Sequence, residues 1–62
     1  MQNPKSNNYM TWEEALHNAR KFAYELEKSG AVYKDKRNYG FNNLPEMVRG
    51  AVEYLHKTGE LK

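Results

Sequence analysis

From Trp12 onward, apolar residues return on a helical period. Trp12, Ala15, Leu16, Ala19, Phe22, Ala23 and Leu26 occupy the i, i+3, i+4 and i+7 positions of one face. Glu13, Glu14, His17, Asn18, Arg20, Lys21, Tyr24 and Lys28 fall largely on the other side. A helix this one-sided gains most of its stability by burying its stripe, so the rest of the chain, or a partner, must supply a matching surface. The stripe also has defined ends. Thr11 and Glu14 have the spacing of a capping box, in which a hydroxyl accepts from the third helical amide and the carboxylate reaches back. Gly30 follows the last turn as a left-handed stop, with Lys28 placed to complement the helix dipole.

A second unit repeats this logic. Asn43 reads as an N-cap, Pro45 falls in the first turn and Glu46 takes the third helical position. Leu44, Met47, Val48, Ala51, Val52 and Leu55 form one stripe, widened by Tyr54, and Gly59 ends it after Lys57. The pattern predicts a mainly α fold with helices over 12–29 and 44–58, packed on each other as an αα-hairpin.

Sixty-two residues make one domain of marginal stability, because a chain of this size buries only about 60% of the surface its unfolded form exposes. Small domains usually add disulfides, a metal or a partner. There is no cysteine, and His17 and His56 are the only imidazoles, so neither a disulfide nor a zinc site is expected. Self-association or a partner is the remaining supplement. Residues 1–10, with three Asn, a Pro, a Lys and a Ser, read as a flexible tail ahead of a single helical domain over 11–62. Without an apolar h-region or a stretch near 20 apolar residues, the expectation is a soluble cytoplasmic protein with no membrane contact. The lack of cysteine fits a reducing compartment.

The connection between the helices, AVYKDKRNYGFN over 31–42, is long for a helix pair. Val32, Tyr33, Tyr39 and Phe41 favour β structure around a polar centre, which leaves a short β-hairpin open as one form of this connection. It also holds Lys34, Lys36 and Arg37 beside Tyr33, Tyr39 and Phe41, the mixture of phosphate-neutralising cations and base-stacking rings used by nucleic-acid-binding loops. The plainer alternative is a solvated turn whose aromatic rings fold back over the end of the helix pair. The net charge of +2 is too small to choose between them, since what matters is where charge is concentrated.

Other chemistry finds little footing. Glu14 and His17 have the E-x-x-H spacing of carboxylate-bridged metal bundles, but at about 100° per residue they face away from the apolar stripe. His56, with Glu53 three residues before it, reads as a cation at a helix C-terminus. A metal site would need Glu14, His17, Glu53 and His56 brought together across subunits. Ser6 and Ser29 lie in no nucleophile elbow, and the glycines form no phosphate loop. Neither catalytic residues nor a cofactor are expected.

Gly50 is the least expected residue in the second helix, where glycine costs about 1 kcal/mol relative to alanine. Between Met47 and Tyr54 it leaves a notch suited to the close approach of another helix or side chain. Trp12 reads first as a lid on the core, and otherwise as an interface anchor. The functional expectation is a non-enzymatic protein-binding module of accessory or regulatory type. It would associate with itself or a larger protein through Met47, Gly50, Tyr54 and Trp12, and a mobile-element origin fits its size. The alternative is a small nucleic-acid-binding protein using Tyr33, Lys34, Lys36, Arg37, Tyr39 and Phe41.

Overall fold

The computed structural model describes residues 10–62, and the expected tail lies outside them apart from Met10, which packs against the core. Helix α1 spans Trp12–Lys28 and helix α2 spans Glu46–Thr58, with two 3-10 segments, Tyr33–Tyr39 and Phe41–Asn43, between them. No strand occurs among the described residues. The mainly α expectation is met; the β-hairpin that the connection left open does not form among the described residues.

Local chemistry accounts for the ends of α1. The Glu14 N–H donates to Thr11 Oγ1 at 3.1 Å, while the reciprocal carboxylate bond of the expected box is not made among the described residues. At the other end, Gly30 adopts φ 80°, so its N–H reaches the Glu27 carbonyl and the Ala31 N–H reaches the Leu26 carbonyl at 2.9 Å. This is a Schellman closure, and it leaves Ala31 and Leu26 buried together.

Helix α2 starts later than the sequence pattern suggested. A proline pushes the residue before it out of the helical region, and Leu44 sits at ψ 150°. Asn43 therefore ends the second 3-10 segment instead of capping α2. Pro45 takes the cap position, and its carbonyl accepts from the Arg49 N–H at 3.0 Å.

The connection is 3-10 because its polar groups close locally. Asp35 accepts from the Val32 N–H at 3.2 Å and returns its own N–H to the Val32 carbonyl at 2.8 Å. Gly40, at φ 90°, then turns the chain between the two segments. The ends that would pair in a hairpin go to different helices. Tyr33 stacks on His56 of α2, and Phe41 packs against Phe22 of α1. Isolated two-stranded hairpins are marginal in water, so these contacts prevail.

The shared core consists of Ala15, Ala19, Phe22, Ala23 and Leu26 from α1 and Val48, Ala51, Val52 and Leu55 from α2, closed by Ala31, Phe41 and Leu61. Alanines at 15, 19 and 51 have no exposed surface, and their short side chains let the helices approach closely. The Leu61 N–H bonds back to the Leu55 carbonyl, which seats the Leu61 side chain under the core. Two stripe residues break the expected pattern. Met47 is 41% exposed, and Trp12 is 43% exposed rather than lying over the core. At the start of α1, the Trp12 ring extends past the shared core and meets Tyr54 instead.

Candidate functional site

The buried residues of α2 fix its orientation, and two of its flanks then carry unrelated surfaces. At about 100° per residue, Tyr54 and His56 lie roughly 160° apart on the helix, one on each side of the buried stripe.

On the first flank, the Trp12 and Tyr54 rings meet edge to face, 5.7 Å between centroids and 77° between planes. This geometry suits aromatic quadrupoles, yet each ring remains nearly half exposed. Gly50 and Met47 continue the same flank one and two turns earlier in α2. A Cβ built on Gly50 meets nothing within 4 Å, so this position faces open space. Trp12 and Tyr54 thus meet at an α1–α2 edge, while Met47 and Gly50 precede Tyr54 along α2, with Gly50 turned toward Glu46, Arg49 and Glu53. Polar residues flank it, with Glu46 at the start of α2 and Lys57 at its end.

On the second flank, the Tyr33 ring lies flat on the His56 imidazole, 3.8 Å between centroids and 8° between planes. The Lys36 ammonium covers the Tyr33 ring at 4.0 Å and stands 5.0 Å from the Phe41 ring. The Tyr33 N–H donates to the Lys62 main-chain oxygen at 2.8 Å. This flank therefore joins the connection, the end of α2 and the segment after it. Lys34, Arg37, Tyr39 and Lys62 around it are exposed.

The connection residues named as a nucleic-acid loop divide accordingly. Lys34, Lys36 and Arg37 remain near one another, but Phe41 is buried against Phe22, 6.2 Å between ring centroids, and cannot stack on a base. Tyr33 is engaged between His56 and Lys36, which leaves Tyr39, 43% exposed, as the free ring. Sequence reasoning missed the roles of His56 and Lys62 here. Neither lies near the connection in sequence, and only folding brings them to it.

The remaining candidates stay apart. Glu14 and His17 are exposed on the outer side of α1, and no group of three or more His, Cys, Asp or Glu that could hold a metal occurs among the described residues. Arg49 is half-buried near Phe41, Glu46, Gly50 and Glu53, and its Nε has no hydrogen-bond partner among the described residues. Arg20 pairs with Glu60 at 3.2 Å, both half exposed, and so ties the segment after α2 to α1. Among the described residues, no helix is long and apolar enough to cross a membrane. Comparison with protein-family models, curated proteins and solved structures finds no match to this chain.

Proposed function

We propose that the protein is a non-catalytic binding module that pairs with a second copy of itself through the flank of Trp12, Met47, Gly50 and Tyr54, in the cytoplasm. The observation that carries this reading is the half-exposed Trp12–Tyr54 pair beside an open glycine. Tryptophan and tyrosine are the residue types that most often anchor interfaces, and burying what remains exposed of both rings removes apolar surface from water.

Gly50 gives the surface its shape. Without a side chain there, a facing helix approaches more closely between Met47 and Tyr54 than it could over a larger residue. Charge selects the partner. When two copies of α2 lie antiparallel across a two-fold axis near Gly50, Glu46 of one copy comes toward the Lys57 end of the other, and the same pairing recurs at the opposite end. A small chain with a modest core gains the stability that a second copy supplies.

The test is solution mass by sedimentation equilibrium from low micromolar to several hundred micromolar protein. A reversible monomer–dimer equilibrium is expected, and Tyr54→Lys, at an exposed position, is expected to weaken it at least tenfold while leaving the helical circular dichroism intact. A monomer throughout that range would refute the reading. So would a dimer that both Met47→Lys and Tyr54→Lys leave unchanged, since it would have to form elsewhere.

A further inference from the structure

The fold gathers positive charge that the sequence scatters. The segment carrying Lys34, Lys36 and Arg37 comes beside the Lys62 main chain, where Tyr33 lies on His56 and donates its N–H to the Lys62 oxygen. The connection and Lys62 supply four cations against Asp35, whose carboxylate is already engaged with the Val32 N–H, while Glu46 and Glu53 of α2 stand with Arg49 around Phe41 beside them. The rest of the chain holds six Lys and Arg against seven Asp and Glu, so it is net negative although the whole protein is +2. Glu60, the nearest acid in sequence to Lys62, is drawn away by Arg20.

We infer that this surface binds the phosphate backbone of a nucleic acid. A flexible loop with the same composition would spread its cations. Here the Tyr33 stack and the Asp35 turn hold the backbone of 33–37 against the end of α2, so the charges are arranged before a ligand arrives. Lys36 is committed to the Tyr33 and Phe41 rings through its ammonium, which still has hydrogens to offer. Lys34, Arg37 and Lys62 are exposed and have no ion-pair partner among the described residues. The exposed Tyr39 ring follows the cations in sequence and is available to a base. An acidic protein is the competing partner. A charged surface with few apolar side chains and an accessible ring suits regularly spaced phosphates better than a folded protein face. The site lies on the flank opposite the Trp12–Tyr54 pair, so this inference stands whether or not the chain pairs with itself.

The experiment is fluorescence anisotropy with labelled single-stranded and duplex oligonucleotides of mixed sequence, titrated with the full chain. With four phosphate contacts on a single strand, affinity is expected to fall about 50-fold between roughly 50 and 200 mM salt. The charge reversal Lys34→Glu with Arg37→Glu removes two contacts, and is expected to weaken binding at least tenfold in low salt and to reduce that salt-driven loss to about sevenfold. Lys21→Glu with Lys28→Glu changes net charge equally on exposed positions of α1, and is expected to weaken binding less than about threefold if the site is local. Circular dichroism checks that both double variants keep their helices. Binding to either nucleic-acid form with these responses supports the inference, and a preference names the form taken. Equal losses in the two double variants would overturn it, as would no binding at about 100 μM protein in low salt. Polyglutamate bound as tightly as the oligonucleotides would overturn it too.

Discussion

Replacing Gly50 with alanine separates what the residue does within one chain from what it does between chains. Gly50 lies inside α2 and has no positive φ, so alanine fits its backbone without strain. The added Cβ meets nothing within 4 Å, so no contact in the monomer resists it. The helix propensity difference, about 1 kcal/mol, is therefore expected almost in full. For a domain this small that corresponds to a rise in Tm of about 4–8 °C. Thermal unfolding followed by circular dichroism at low micromolar concentration measures this for the monomer. Sedimentation at high concentration is expected to show the opposite effect, because the methyl group fills the gap through which a facing helix approaches. A lower monomer Tm would refute the reading of Gly50 as an open helical position. A higher Tm with unchanged self-association would show that the gap is not part of the interface.

Gly30→Ala is expected to act with the opposite sign, since a Cβ at φ 80° costs roughly 1–2 kcal/mol and the Schellman closure requires that φ; the Tm should fall. Leu55→Ala removes a side chain with no exposed surface and should cost about 2–5 kcal/mol, enough to leave the chain largely unfolded by circular dichroism at 25 °C. Thr11→Ala deletes the hydroxyl that accepts from Glu14 and should cost about 1 kcal/mol in denaturant titration. A double-mutant cycle on Arg20 and Glu60 should return a coupling below about 1 kcal/mol, because both partners are half exposed to water.

Much of the fold could be read from local pattern. Thr11, Gly30 and Gly59 mark helix ends, and the stripe from Ala15 to Leu26 is the buried face of α1. The sequence pattern starts α2 two residues early because Asn43 makes a plausible cap, whereas the effect of Pro45 on Leu44 excludes both residues from the helix. Val32, Tyr33, Tyr39 and Phe41 favour extended structure in the connection, a preference worth less than the contacts of Tyr33 with α2 and of Phe41 with α1.

The candidate surfaces were only partly visible. Met47, Gly50 and Tyr54 share a helix flank by simple spacing, so their grouping follows from sequence. That Trp12 joins them, instead of covering the core, depends on where the start of α1 lies beside the end of α2. The basic surface shows the same division more strongly. The cations at 34, 36 and 37 can be seen in the chain, but His56 and Lys62 reach them only through long-range packing.

Sequence alone determined that the chain forms two one-sided helices, each closed by a glycine, because helix stops and amphipathic periodicity act within a few residues. Only the tertiary structure decided which rings are free, with Phe41 buried, Tyr33 held between His56 and Lys36, and Trp12, Tyr39 and Tyr54 left at the surface. Exposure depends on what packs against a side chain. For these residues the partners lie on other elements, and the angle at which two helices meet is set by their combined shape, which neither stripe specifies alone.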